Sequence, residues 1–100
     1  MDYQVVLSDQ ALKNLSAITA WIARDNEQRA ESFGNELLHR VAILEKFPRL
    51  GSPLQSDPRW RKLISPPYLI VYTIDEKMKW VEIATFRHAS RLPFPPVFPD

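Results

Sequence analysis

Residues 60–91 read WRKLISPPYLIVYTIDEKMKWVEIATFRHASR and decide the fold. Within this stretch, residues 68–74 are apolar at both alternating sets of positions and rich in β-branched and aromatic side chains. This pattern predicts a central strand. Residues 75–78 form a polar break, and residues 79–87 then alternate again. The two runs predict a β-hairpin with a four-residue loop built on a type I turn, whose acidic residues are interpreted as solvated turn residues.

A further strand is predicted just before the central one, over residues 59–64. Only Ser65, Pro66 and Pro67 separate the two strands, and the prolines lack the N–H groups that a continuous ladder requires. The three runs therefore predict an antiparallel β-meander. The preceding residues 49–58 are turn formers without periodicity and predict a loop.

The chain before this loop predicts a short strand followed by two amphipathic helices. Residues 3–7 are β-like and end at Ser8 and Asp9, either of which can cap the first helix. Asn26 is the predicted N-cap of the second helix, and Pro48 its predicted end. Apolar residues at three- and four-residue spacing form one stripe on each helix: Leu12, Leu15, Ile18 and Ile22, widened by Trp21, and then Ala30, Phe33, Leu37, Val41, Leu44 and Phe47.

The connection between the two helices is short, so they are expected to form an antiparallel hairpin whose apolar stripes pack on the sheet. The predicted fold is therefore α+β: an N-terminal strand, a helical hairpin and an antiparallel β-meander, in one domain over residues 1–100. Residues 92–100 contain four prolines and predict an extended tail that packs along the surface.

The composition is that of an ordinary soluble domain, with 45% apolar and 25% charged residues and no cysteine. No apolar run approaches the roughly 20 residues that a membrane span needs, and a cytoplasmic protein without membrane contact is expected. The net charge of +1 conceals an asymmetry, because residues 1–45 carry −3 and residues 46–100 carry +4. A basic sheet half of this kind could serve nucleic acid or an acidic partner.

Several classes of site are excluded by the sequence. Two glycines are too few for a glycine-rich phosphate loop, the two histidines lack metal-ligand spacing, and no Gly-x-Ser-x-Gly motif is present. Nucleotide, metal and serine-hydrolase chemistry are therefore not expected, and no cofactor is predicted.

The remaining candidates are cationic and lie near the ends of the predicted strands: Arg49, Arg59, Arg61, Lys62, Arg87, His88 and Arg91. In an antiparallel meander these ends can converge. Arg and Lys neutralise phosphates and a His can move a proton near pH 7, a combination suited to RNA cleavage through the 2′-hydroxyl. The alternative interpretation is a set of solvated edge charges that prevent association between sheets.

Four short motifs follow one another along the chain: Phe-Pro-Arg-Leu-Gly at 47–51, Trp-Arg-Lys-Leu at 60–63, Tyr-Leu-Ile-Val-Tyr-Thr-Ile at 68–74 and Arg-His-Ala-Ser-Arg at 87–91. In this order and spacing they resemble the RelE/ParE superfamily of bacterial toxins over nearly the whole chain. The resemblance implies a small toxin of a type II toxin–antitoxin pair. It also implies a cognate antitoxin with a segment that lies over the helices and the sheet.

The two branches of this superfamily differ in target. RelE-like ribonucleases usually carry a basic residue directly after the first Tyr of the central strand, an Arg near the end of the last strand, and a Tyr beyond it. Here Leu69 and Phe94 stand at the first and last of these positions. The His88-x-x-Arg91 ending is more similar to the ParE branch, whose members poison DNA gyrase.

The resemblance therefore favours a ParE-like toxin that acts on DNA gyrase. The residues expected to bind the target are Arg61, Lys62, Arg87, His88 and Arg91. One alternative is a RelE-like, ribosome-dependent mRNA endoribonuclease, in which Arg61, Lys62, Arg87 and His88 would be catalytic. Another is a non-toxic interaction module.

Overall fold

The computed structural model describes residues 2–89, so Arg91, Phe94 and the predicted tail 92–100 lie outside the described residues. Neither helix within 2–89 is long and apolar enough to cross a membrane. The elements of the described chain are β1 (Gln4–Leu7), α1 (Asp9–Ala23), α2 (Glu27–Ile43), β2 (Ser52–Pro53), β3 (Arg61–Ser65), β4 (Tyr68–Asp75) and β5 (Trp80–His88).

The strands form one mixed sheet in the order β1-β5-β4-β3-β2. β1 runs parallel to β5, and the other neighbouring strands are antiparallel. The predicted α+β class, the central position of β4 and the meander β3-β4-β5 are confirmed. Ser65 still pairs with Tyr68, so the ladder between β3 and β4 continues up to a loop that consists only of Pro66 and Pro67.

The predicted loop 49–58 contains one element that periodicity could not show. Ser52 and Pro53 pair with Lys62 and Arg61 and add β2 as a further edge strand. A two-residue strand has no alternation to detect, and a Pro is tolerated at an edge where its missing N–H breaks no ladder.

Both predicted helix starts are present. The Ser8 side chain accepts a hydrogen bond from the Ala11 amide, and the Asn26 side chain accepts one from the Arg29 amide. Each cap satisfies one of the free N–H groups in a first helical turn. The Ser8 hydroxyl also donates to the Ala84 carbonyl at 2.8 Å, so the same residue joins α1 to β5.

The helices pack closely against each other and against one face of the sheet. A Cβ on Gly34 of α2 would lie 3.2 Å from the side-chain atom Cγ2 of Thr19 on α1, so the Thr19 side chain packs close to the α2 backbone. Buried side chains of both layers form one core: Ala11, Ile18, Leu37, Val41, Leu44, Leu63, Ile70, Tyr72, Val81, Ile83 and Phe86. The Arg40 guanidinium, at the far end of α2, donates to the Ile64 carbonyl of β3.

Three of the predicted stripe residues are exposed rather than buried. Leu12 is 51% exposed, Trp21 is 67% exposed and Phe47 is 61% exposed. The stripe on α1 is narrower than predicted, and Trp21 contacts the Arg24 guanidinium at 5.1 Å from its ring centroid. The prediction for Phe47 is wrong because α2 ends at Ile43, so the helical spacing no longer applies four residues later.

The two faces of the sheet carry different side chains. Leu63, Ile70 and Phe86 lie in the core on the helix side. Because successive strand residues point to opposite faces, their neighbours Lys62 and Arg87 lie on the face away from the helices. A bulge at Val71/Tyr72 shifts the pairing with β5 by one residue.

Candidate functional site

The candidate cations of the sequence divide between the two faces of the sheet. Arg61 pairs with Tyr72, and His88 pairs with Tyr68, so Arg61 and His88 lie on the helix side. Lys62 lies opposite Val71 on the other face. Adjacent strand residues cannot share a face, so the pairs Arg61–Lys62 and Arg87–His88 are each split.

The cations also lie at different heights along the central strand. Arg61 pairs with Tyr72, whereas His88 pairs with Tyr68, four residues away on β4. At the rise of a β-strand this separation is about 13 Å. Arg61 and His88 are therefore not brought together.

Lys62 and Arg87 share the face away from the helices, on opposite sides of β4. The residue across from Lys62 is Val71 and the residue across from Arg87 is Leu69. Both are buried, with 0% and 7% exposure. The buried apolar side chains of Val71 and Leu69 therefore lie between Lys62 and Arg87, and no basic side chain of β4 connects the two cations on this face.

Arg61 has a defined structural role. Its Nη1 donates to the Gly51 carbonyl at 2.6 Å and, at 3.4 Å, to the Arg49 carbonyl. The guanidinium thus holds the backbone between α2 and β2 against the sheet.

Tyr72 is the second residue that holds this backbone, a role that its place in the predicted central strand does not reveal. Its hydroxyl donates to the Pro48 carbonyl at 2.7 Å and accepts from the Gly51 amide at 2.8 Å. Burial raises the pKa of the Tyr72 phenol, while the Gly51 hydrogen bond and the charges of Arg61 and Arg49 oppose the rise. The phenol therefore stays protonated and able to donate.

The backbone approach at this point requires glycine. A Cβ on Gly51 would lie 2.6 Å from the Lys62 carbonyl oxygen and 2.7 Å from the Tyr72 hydroxyl. We call residues 48–51, with Tyr72 and Arg61, the Tyr72 clamp. Its signal in the sequence was the Pro-x-x-Gly spacing within the motif at 47–51.

A polar cluster borders the Tyr72 clamp at the β4–β5 turn. Glu76 accepts from the Tyr3 hydroxyl at 2.5 Å and forms an ion pair with Arg49, and Lys79 Nζ lies 3.8 Å from it. The Tyr3 hydrogen bond, followed by the one from Arg49, lowers the pKa of Glu76. Asp75 makes the expected turn contact, accepting from the Met78 amide at 3.0 Å. Glu76 instead joins three separate segments.

His88 lies in an aromatic row at the opposite end of β4. Its ring meets Tyr68 edge-on with centroids 5.2 Å apart, and Tyr68 packs on Phe33 at 5.6 Å. A cleft of about 700 Å³ opens beside this row, between α1 and the end of β5. Its lining includes Asn14, Trp21, Tyr68, Arg87 and His88. Asn14 Oδ1 accepts from the Thr85 hydroxyl at 2.6 Å and from the Phe86 amide at 3.1 Å, which fixes the wall of the cleft.

Comparison with known proteins identifies the family. The family model described as the ParE toxin of the type II toxin–antitoxin system parDE matches residues 5–93. The chain belongs to the ParE toxin family. Among curated proteins, none matches the sequence significantly.

Solved structures similar to this ParE-family toxin come from both branches of the superfamily. One is the toxin–antitoxin complex RelBE2 from Mycobacterium tuberculosis, with a TM-score of 0.69 and 20% identity over 88% of this chain and 99% of that chain. A second is the chromosomal ParDE system from P. aeruginosa, with a TM-score of 0.72 and 16% identity over 86% and 95%. A third is a mutant of E. coli toxin RelE in the free state, with a TM-score of 0.65 and 20% identity over 89% and 85%. At identities this low, the structural similarity establishes the shared fold alone.

The described part of this ParE-family toxin offers no metal site. Within residues 2–89, no three His, Cys, Asp or Glu side chains are grouped so that they could hold a metal ion.

Proposed function

We propose that this chain is the toxin of a type II toxin–antitoxin pair and that it acts on DNA gyrase. The observation that supports this target is the arrangement of cations around Leu69. Val71 and Leu69 lie between Lys62 and Arg87 on one face, while Arg61 and His88 lie on the other face. A toxin that acts by binding a protein needs no catalytic set, so this arrangement is compatible with a gyrase target.

RNA cleavage makes demands that this arrangement does not meet. The reaction needs a group to take the 2′-hydroxyl proton, a group to protonate the leaving oxygen and cations for the phosphorane charge. These groups must converge on one phosphate. His88 and Arg61 pair with β4 residues four positions apart, and Arg61 is hydrogen-bonded to the Gly51 carbonyl.

If the target is gyrase, the half-buried Lys62 and Arg87 and the cleft residue His88 provide target contacts. Arg91, which lies outside the described residues, stays a proposed contact. Arg61 acts indirectly by holding the Tyr72 clamp. Truncation of Lys62 or Arg87 should therefore weaken binding to the target, and the binding that remains should depend less on salt concentration.

The partner of this toxin is a cognate antitoxin. The similar structures RelBE2 and ParDE are toxin–antitoxin systems, and their toxins share the fold described above. We expect the product of a neighbouring small open reading frame to neutralise this chain. Expression of the chain alone should slow bacterial growth, and co-expression with that neighbour should restore it. Equal growth with and without the neighbour would count against the toxin assignment and favour a non-toxic interaction module.

The deciding experiment for the target runs two assays on the purified protein. Gyrase supercoiling should be inhibited, and toeprinting on programmed ribosomes should show no cleaved mRNA. His88→Ala and Arg61→Ala variants are tested in both assays, with Arg59→Ala as a control cation that ion-pairs with Asp57 at 2.7 Å.

A second candidate function is ribosome-dependent mRNA cleavage, which is favoured by the shared face of Lys62 and Arg87. Codon-register cleavage that disappears in the His88→Ala or Arg61→Ala variant, with supercoiling untouched, would establish the ribonuclease and overturn the gyrase proposal. Removal of one electrostatic contributor of this kind typically costs on the order of a hundredfold in rate.

A further inference from the structure

The face of the sheet opposite the helices, here called the outer face, carries buried apolar side chains. Leu69 and Val71 of β4 lie on it between Lys62 and Arg87, and they are 7% and 0% exposed. Neither belongs to the core that the helices form with the other face. A sheet face that meets water normally carries polar side chains, and apolar ones at its centre would stay partly exposed. The burial of these two residues therefore indicates that a further segment lies over them.

Leu54 adds a third buried apolar residue to this face. Its amide donates to the Trp60 carbonyl at 2.8 Å, which continues the pairing of β2 with β3 beyond Pro53. Leu54 follows Pro53, so it lies on the same face as Lys62. At 5% exposure it is as well buried as Leu69. The buried part of the outer face thus spans β2 to β4, which is wide enough for an extended segment.

The loop between β2 and β3 does not supply this cover. Its side chains at positions 55, 56, 58 and 59 are exposed, and the aromatic Trp60 at its end is half-buried. Trp60 lies four residues before Ile64, the partner of Leu69, which is a separation of about 13 Å along β3. A Trp side chain does not reach that far. Because the helices pack on the other face, the segment that follows Ala89 remains as the cover.

The chain leaves the sheet at the edge of this buried area. The Ala89 amide donates to the Pro67 carbonyl at 2.8 Å, and the backbone turns at Ala89. Pro67 directly precedes β4 and lies two residues before Leu69. A polyproline segment extends by about 3.1 Å per residue, so residues 92–98 can span about 19 Å. Leu69 and Val71 are only about 7 Å apart along β4, well within this reach.

The sequence after Arg91, which lies outside the described residues, has the composition of a segment that packs on an apolar surface. Residues 92–99 read LPFPPVFP and carry no charge, with four apolar side chains among four prolines. Prolines lack N–H groups, so this segment cannot extend the β ladder and would pack on a face rather than at an edge. Extended proline-rich segments bind apolar and aromatic surfaces with little loss of conformational entropy.

We propose that residues 92–98 pack on the outer face of the sheet, over Leu69 and Val71, with Lys62 and Arg87 at the borders of the segment. This inference does not depend on the identity of the target. It does affect how a target can bind, because a covered outer face gives an RNA backbone no open path between Lys62 and Arg87. A protein partner can still contact both cations at the borders of the segment.

Methyl–aromatic nuclear Overhauser effects in the full chain test this placement. The Leu and Val methyl groups are labelled with ¹³C, and contacts are sought between Leu69 or Val71 and the rings of Phe94 and Phe98. The chain has five phenylalanines, so Phe94→Leu and Phe98→Leu variants assign each ring. The control is Leu12, which is 51% exposed on α1. We expect Leu69 or Val71 to contact at least one of the two rings and Leu12 to contact neither.

The outcomes separate this placement from other occupants of the outer face. Absence of the contacts in the full chain would overturn the proposal. A mixture of labelled and unlabelled chains distinguishes contacts within one molecule from contacts between two, and contacts seen only between chains would make a second copy the occupant. Contacts of Val71 that arise only after addition of the neighbouring open reading frame product would make that protein the occupant. Both of these results contradict the placement of residues 92–98.

Thermal unfolding provides an independent measurement. Phe94→Gln and Phe98→Gln remove buried apolar area, so each should lower the melting temperature by about 4 °C or more. Phe47→Gln is the matched control, because Phe47 is 61% exposed in the loop after α2 and its replacement should have a clearly smaller effect. Melting temperatures of Phe94→Gln and Phe98→Gln that both equal that of the unmodified chain would also overturn the proposal.

Discussion

The hydroxyl of Tyr72 accepts a hydrogen bond from the amide of Gly51 at 2.8 Å and joins the central strand to a loop 21 residues earlier. The same hydroxyl donates to the Pro48 carbonyl. The Gly51 amide and the Pro48 carbonyl are both buried away from water, so the Tyr72 hydroxyl makes the hydrogen bonds that water would otherwise make with them. The loop between α2 and β2 therefore depends on one side chain of the sheet.

Tyr72→Phe should destabilise the protein by about 1–3 kcal/mol, because it removes the partners of a buried amide and a buried carbonyl. Urea unfolding measures the loss, and hydrogen exchange at the Gly51 amide should become faster. Tyr68→Phe is the control, since the described contacts of Tyr68 are ring contacts with Phe33 and His88. An unchanged Gly51 exchange rate in Tyr72→Phe would contradict the clamp.

The alkaline stability should also depend on Tyr72. Its pKa is raised above the ordinary value of 10.0 in the folded protein, mainly by burial. The unfolded chain therefore loses this proton first, and stability should fall as the pH rises above about 10. Tyr72→Phe should show a shallower fall over the same pH range in thermal unfolding. Parallel curves for the two proteins would argue against a buried, protonated phenol.

Gly51→Ala should destabilise the protein by about 1–3 kcal/mol or more, because the added Cβ would lie 2.6 Å from a backbone oxygen of β3. Gly34→Ala is the matched control. Its Cβ would meet only Thr19 Cγ2 at 3.2 Å, and a helical Ala gains about 1 kcal/mol of propensity over Gly. We expect Gly34→Ala to be nearly neutral in chemical denaturation. A neutral Gly51→Ala would mean that the loop can move away from the sheet.

Val41→Asp should unfold the domain, since Val41 is 3% exposed and an unpaired carboxylate would be placed in the core. Leu37→Asp should have the same effect. Leu38→Asp serves as the control, because Leu38 directly follows Leu37 in the same helix but is 42% exposed. Circular dichroism with thermal melting distinguishes the variants. A folded Val41→Asp protein with an unchanged melting temperature would refute the orientation of α2.

Glu76→Gln should weaken the contact between the β4–β5 turn, the Tyr3 segment and Arg49. The pKa of Glu76 is lowered from 4.5, first by the Tyr3 hydroxyl and then by Arg49. Its contribution to stability is therefore present above about pH 4.5 and is lost as the pH falls through the lowered pKa. The difference in melting temperature between the unmodified chain and Glu76→Gln should shrink in acid. Glu36→Gln makes the same charge change on the exposed side of α2 and serves as the control.

Much of the fold follows from local patterns in the sequence. The helical and β periodicities predicted the order of the main elements, Ser8 and Asn26 predicted both helix starts, and the motif order pointed to the toxin superfamily. These features depend on neighbours within a few residues along the chain, where capping and periodicity rules apply. Periodicity places the ends of elements less precisely: it extends the second helix through Phe47, whereas α2 ends at Ile43.

The site required the tertiary structure. Alternation alone separates Arg61 from Lys62 and Arg87 from His88, but only the packing shows which face the helices cover. Likewise, a Tyr in a strand does not reveal that its hydroxyl will meet Pro48 and Gly51. Contacts between residues more than 20 positions apart arise from the register of the strands and the path of the intervening loop, and neither is encoded in the local pattern. The sequence thus determined the elements and the family, whereas the tertiary structure decided which side chains act together, because that depends on contacts made only when distant segments pack.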